Sequence, residues 1–155
     1  MENLDGVDRR ILDCLMAEGR ITMTELAERV GLSKTPVQAR VRRMEEAGVI
    51  RGYQALVDPV RLGLGHIAFV QVTLSDTRIA ALEAFSAAAR ALPEVEQCHM
   101  IAGGFDYLMK VRTRDIAGYR KFLGEKLSAL PHVASTTTFV VMETVKEPGT
   151  GIRRR

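Results

Sequence analysis

The segment Ala91-Leu92-Pro93-Glu94-Val95 returns as Ala129-Leu130-Pro131-His132-Val133. Both copies sit where an apolar period of 3.6 residues gives way to one of 2. A proline there ends a helix, and the β-branched residue after it opens a strand. Residues 66–74 read as a strand, rich in β-branched and aromatic side chains. Ile79, Leu82, Phe85 and Ala89 then mark a helix, and residues 95–102 a strand. Gly103-Gly104 is a turn, residues 107–112 a strand, and Ile116, Tyr119, Leu123, Leu127 and Leu130 mark a second helix. Residues 135–143 form a last strand. The order β-α-β-β-α-β predicts a ferredoxin-like domain, an antiparallel sheet with both helices on one face. The other face is expected to carry Val, Ile, Phe and Met. A second copy of the chain would bury it, so a homodimer is predicted.

The first third reads as three short helices. Asp5 can cap the first, with Asp8 in its opening turn and Val7, Ile11, Leu12 and Leu15 as its apolar stripe. Gly19 suits a left-handed stop. Thr22-Met23-Thr24-Glu25 is a capping-box pattern ahead of Leu26, Ala27 and Val30. Gly31 ends the second helix. Ser33 or Thr35 can cap the third, with Pro36 in its first turn. Val37, Val41 and Met44 face one way along it, and Gly48 closes it. Two helices joined by a tight glycine turn form a helix-turn-helix.

Charge follows the same division. The chain of 155 residues carries a net charge of only +3. Residues 1–28 hold seven acidic and three basic side chains, whereas residues 29–51 hold six basic and two acidic. A basic third helix in a nearly neutral protein is a candidate polyanion surface. Ser33, Lys34, Thr35, Pro36 and Gln38 lie at its N-terminal end, where base edges are read. Arg40, Arg42 and Arg43 follow and suit phosphates.

Residues 49–57 are expected to form a strand or wing, which Asp58-Pro59 ends, and Leu62-Gly63-Leu64-Gly65 a joint. The predicted division is therefore 1–50 for the helix-turn-helix, 51–65 for the wing and linker, 66–145 for an effector-binding and oligomerising domain, and 146–155 for a flexible tail. The tail's Arg153, Arg154 and Arg155 offer at most a non-specific electrostatic aid.

Several classes are excluded. No apolar run approaches the ~18 residues of a membrane span, and no secretory signal opens the chain. Cys14 and Cys98 cannot make a disulfide framework, so a cytoplasmic protein is expected. Cys98 and the adjacent His99 point to opposite faces of a strand and cannot chelate one metal together. Neither a P-loop, nor a dinucleotide fingerprint, nor a nucleophile–base pair stands out, so no enzyme and no cofactor is expected. The alternative left open is a stand-alone amino-acid-binding regulatory subunit.

Taken together, Leu4-Asp5, Ile11-Leu12, Gly19-Arg20, Glu25-Leu26-Ala27, Val30-Gly31-Leu32-Ser33, Thr35-Pro36-Val37, Arg40-Val41 and Glu45-Glu46-Ala47-Gly48-Val49-Ile50 resemble the DNA-binding half of the Lrp/AsnC family of transcriptional regulators. Gly52-Tyr53-Gln54-Ala55 and Asp58-Pro59 fit its linker, and Ala102-Gly103-Gly104-Phe105-Asp106-Tyr107 is similar to its effector-domain motif. The resemblance implies an α+β protein, with an N-terminal winged helix-turn-helix followed by a ferredoxin-like sensing domain. It implies a double-stranded DNA operator, an amino acid or related metabolite as effector, and dimers that assemble to tetramers or octamers. Carried over by position, the effector site would draw on Gly103, Gly104, Asp106 and Tyr107, with Thr136 and Thr138 on the last strand. Backbone N–H groups beside the glycines can meet a carboxylate, and Asp106 an ammonium group. A tight turn in which Asp106 caps its own backbone is the competing account of the same residues. The run from His99 to Leu108, with Leu130-Pro131-His132-Val133, is similar to the branch of the family that activates proline dehydrogenase expression, which would make proline the effector.

Overall fold

A computed structural model describes residues 3–147. The chain divides between Ala55 and Leu56 into two compact units. The division falls inside the expected linker.

The first unit holds α1 (Gly6–Ala17), α2 (Met23–Val30) and α3 (Lys34–Glu46). Asp5 caps α1 in a reciprocal box with Asp8, and Thr22 caps α2 in one with Glu25. Each box satisfies N–H groups that a helix start leaves without an internal partner. Gly31 takes the left-handed conformation (φ 74°) that turns α2 into α3, and Gly48 (φ 71°) does the same after α3. Gly19 does not; α1 stops at Glu18, whose N–H returns to the Cys14 carbonyl. Ser33 precedes α3 without lending it a side-chain hydrogen bond. Ile11, Leu15, Leu26, Val30, Val37, Val41 and Met44 form one core among the three helices.

The expected wing strand is absent: no described residue from 51 to 65 lies in a strand. Val49 and Ile50 instead turn back, and both N–H groups reach the Met44 carbonyl at 2.9 and 3.0 Å.

The second unit contains β1 (His66–Leu74), α4 (Ile79–Arg90), β2 (Val95–Met100), β3 (Tyr107–Thr113), α5 (Ile116–Glu125), a 3-10 turn (Leu127–Ala129) and β4 (Val133–Val140). The sheet order is β2-β3-β1-β4, with every pair antiparallel. Ala68, Val70, Val72, Met109 and Val111 pack with Phe85 and Ala89 of α4 and Tyr119 and Phe122 of α5. Both helices therefore cover one face, as expected.

The opposite face differs from expectation. The register puts the valines and Met109 under the helices. The open face carries Ile67, Phe69, Leu108 and Phe139, but also Lys110 and Arg112. Both cations are buried, paired with Glu96 and with Glu147 from the segment after β4. A β-bulge at Glu96 puts that carboxylate over the same face.

Candidate nucleic-acid interface and effector loop

Helix α3 buries Val37, Val41 and Met44, and within its unit it leaves Ser33, Lys34, Thr35, Pro36, Gln38, Arg42 and Arg43 exposed. The side chains of Lys34 and Gln38 make no hydrogen bond or ion pair to any described residue. The face is polar and cationic, with no large apolar side chain, as a helix entering a major groove requires.

The three arginines are not equivalent. Among the described residues the Arg42 side chain donates only to Glu46 one turn on, at 2.7 Å, with both side chains open to solvent. Such a pair is worth little and can be exchanged for another anion. Arg40 is turned back toward α1, where its Nη1 donates to Asp5 Oδ2 at 2.6 Å and to Asp8 Oδ1 at 2.8 Å. Arg43 donates from Nη2 to Asp8 Oδ2 at 2.6 Å. Asp8 is wholly buried. Burial pushes its carboxyl up, but the hydrogen bond from Arg40, the Asp5 N–H and the charge of Arg43 outweigh that and hold it below the usual carboxylate range. Asp5 is held at about 2 by the Asp8 N–H and by Arg40. The sequence showed Asp8 only as a helix-start acid. Nothing local marks its second role, because its partners lie more than thirty residues on.

In the second unit, residues 101–106 join β2 to β3. Gly103 and Gly104 are exposed, and neither has a positive φ. A Cβ on Gly104 would meet nothing within 4 Å, and one on Gly103 only Ile101 Cγ2 at 3.5 Å. Among the described residues nothing requires glycine at either position.

Asp106 does not cap its own turn. Its Oδ2 accepts from the Leu74 N–H at 2.7 Å, and its N–H donates to the Val72 carbonyl at 3.0 Å, which ties the loop to β1. Oδ1 has no hydrogen-bond partner among the described residues. Tyr107 is 3% exposed and points under α4, its hydroxyl donating to the Leu82 carbonyl at 3.3 Å and lying 3.1 Å from Ser86 Oγ. Thr136 and Thr138 pair with Val72 and Val70, so they lie on the helix-covered face at the sheet edge. The Thr138 hydroxyl is 2.5 Å from that of Tyr119. Val72 of β1 thus has Tyr107 across from it on one side and Thr136 on the other, and Tyr107 belongs to the core of this unit.

Cys98 pairs across the sheet with Met109 and His99 with Leu108, on opposite faces. Among the described residues no group of three His, Cys, Asp or Glu gathers for a metal, and no helix is long and apolar enough to cross a membrane. Arg153, Arg154 and Arg155 lie outside the described residues.

Comparison with known proteins places both units. The Lrp/AsnC ligand-binding domain matches residues 67–150, and a winged helix-turn-helix DNA-binding domain matches residues 4–51. The chain is 64% identical over 144 residues to the proline dehydrogenase transcriptional activator of Rhodobacter capsulatus, covering 93% of this chain and 94% of that one. It is 55% identical over 148 residues to the activator of the same name from Rhizobium radiobacter, covering 96% and 95%. Among solved structures, a transcriptional regulator of Neisseria meningitidis in complex with L-Met superposes with a TM-score of 0.88 at 34% identity, covering 94% of each chain. An enzyme and a stand-alone regulatory subunit are both set aside by the DNA-binding match. The chain belongs to the Lrp/AsnC family of transcriptional regulators, with a DNA-binding helix-turn-helix followed by an amino-acid-binding domain.

Proposed function

We propose that this regulator controls a proline dehydrogenase gene in response to proline, reading an operator with α3 and sensing the amino acid at the 101–106 loop. The observation that carries the choice of proline is the name shared by two relatives at 64% and 55% identity. At the operator, Ser33, Lys34, Thr35, Pro36 and Gln38 meet base edges and nearby backbone, and Arg42 meets phosphate. Arg40 and Arg43, on the flank of the same helix, are turned to Asp5 and Asp8 and are not counted among these contacts.

At the effector site, Gly103 and Gly104 present backbone N–H groups to the carboxylate, and Asp106 Oδ1 takes the ammonium. Support comes from the two glycines that neither φ nor packing demands, which leaves room for a second molecule against the loop. Thr136 and Thr138 contribute from the sheet edge, and Tyr107 holds the loop's anchor strand in place. The assembly is a homodimer that builds further, to a tetramer or octamer, in the cytoplasm where its operator lies.

The test is fluorescence anisotropy of the full chain on a duplex spanning the proline dehydrogenase promoter of its own genome, against a scrambled duplex. Expected are a preference for the promoter, a shift in affinity on adding proline, and no shift with leucine or methionine. Gly104→Val should weaken the proline response tenfold or more without lowering the melting temperature. A response to leucine or methionine alone would replace the effector. Equal affinity for both duplexes would overturn the operator assignment.

A further inference from the structure

The Asp5 and Asp8 carboxylates leave none of their four oxygens idle. Asp5 Oδ1 accepts from the Val7 and Asp8 N–H groups at 2.8 Å each, and Asp5 Oδ2 accepts from Arg40. Asp8 Oδ1 accepts from Arg40, and Asp8 Oδ2 from Arg43 and, at 3.2 Å, from the Asp5 N–H. The capping box that starts α1 therefore fixes two carboxylates against two arginines of α3. These are charge-assisted bonds of 2.6–2.8 Å, the kind a guanidinium would otherwise make to a DNA phosphate. Arg40 Nη1 is committed to both acids at once, and its side chain is 28% exposed, against 80% for Arg42 on the same helix. Arg40 and Arg43 are three residues apart and share the flank of α3 that leans on α1.

We propose that Asp5 and Asp8 stand in for DNA phosphate, holding Arg40 and one edge of Arg43 off the duplex and so weakening the grip of α3 on DNA of any sequence. The inference rests on the reading of α3 as the DNA-contacting helix. Phosphate contacts carry no sequence information. Withholding them lowers non-specific affinity and leaves base contacts to decide where the protein sits, so the two acids are positioning residues that sharpen operator choice. Removing the arginines instead would leave Asp8 buried without its partners.

The experiment measures log affinity against log salt concentration for the full chain on a scrambled duplex. Each phosphate contact adds about 0.9 to the slope. Asp5→Asn with Asp8→Asn should steepen the slope by about 1 to 2 and narrow the preference for promoter over scrambled DNA. Arg40→Gln should leave the slope of the otherwise wild-type chain unchanged, and should reduce that of the Asp5→Asn/Asp8→Asn chain by about 1. Asp5→Asn alone retains a good helix cap, so it gives a folded chain and a smaller steepening if the pair with Asp8→Asn does not fold. A slope that is unchanged or shallower in a variant with wild-type circular dichroism would overturn the proposal. So would a slope that falls on Arg40→Gln in the wild-type chain, since Arg40 would then already be touching phosphate. A wild-type chain that binds no duplex has no slope to measure, and would overturn the DNA-contact reading and this inference with it.

Discussion

Asp8 is buried and ionised, and the two facts are compatible only because Arg40, Arg43 and the Asp5 N–H surround it. Its carboxyl and that of Asp5 are both lowered in the folded chain, Asp5 to about 2. An unfolded aspartate titrates near 3.9. For Asp5 the folded state thus binds fewer protons than the unfolded one between roughly pH 4 and 2, and its stability is full above that window and lost as pH falls through it. Asp8 is shifted in the same direction, so its contribution too is lost on acidification. Glu25, held low by its hydrogen bonds from Thr22, adds to the same trend. Thermal unfolding followed by circular dichroism should show the helix-turn-helix transition falling in temperature from pH 4 to pH 2. Asp8→Asn should cost about 3 kcal/mol at pH 7, the scale for removing one partner of a buried pair, and should flatten the acid limb. An acid limb as steep as wild type would show that Asp8 does not contribute to it. The cap itself was readable, since a capping box is written within four residues. The clamp was not, because its partners are distant in sequence and only the packing of α3 on α1 brings them near.

Helices show the same division between local and non-local information. The period correctly marked Phe85, Ala89, Tyr119, Leu127 and Leu130 as buried. It also counted Ile79 and Ile116, which are exposed because they are first residues of their helices and have no preceding turn to lie against. The period from Ile116 to Leu130 predicts one continuous helix, yet α5 ends at Glu125 and a 3-10 turn carries Leu127 into the core. The strand expected at 49–57 failed for a physical reason: a lone apolar run has no ladder unless a second strand offers one, and Val49 and Ile50 cover the helical core instead. For α3 the period places Gln38 and Arg42 away from the buried stripe, and the structure keeps both exposed. Their substitutions should therefore separate. Arg42→Ala should weaken binding to every duplex and lower the salt slope by about 1. Gln38→Ala should leave the slope unchanged and relax preference at one base pair, by about 1–3 kcal/mol if the amide is bidentate there. A panel of single-base promoter variants, titrated at two salt concentrations, distinguishes them. A uniform loss for Gln38→Ala would remove it from the base-reading set.

For the whole molecule the consequential surface is the open face of the sheet. Its composition is not legible in the sequence, because alternation fixes which residues share a face but not which face the helices cover. The result is mixed: apolar Ile67, Phe69, Leu108 and Phe139 beside Lys110 and Arg112. The two cations meet Glu96 and Glu147, so the cluster is already compensated within one chain. The segment carrying Glu147 leaves a cavity of about 250 Å³ against Ile67, Phe69 and Lys110. A neutralised cluster can be covered by another subunit without a fresh charge-burial penalty, and apolar area supplies the drive. Phe139 is 51% exposed and stands directly across from Phe69 in the register, so two phenylalanines are cross-strand neighbours on that face. If the homodimer forms there, Phe139→Asp places a carboxylate in its interface, while the fold of the single chain, in which that ring is half in solvent, is retained. Sedimentation equilibrium should then show the dimer dissociating at protein concentrations at least tenfold higher than wild type, about 1.4 kcal/mol or more, with unchanged circular dichroism. Glu143→Gln, on an exposed residue beside the same cavity, serves as the matched control and should leave assembly intact. An identical distribution of species for Phe139→Asp and wild type would move the interface off this face, and the apolar pair would then need another cover.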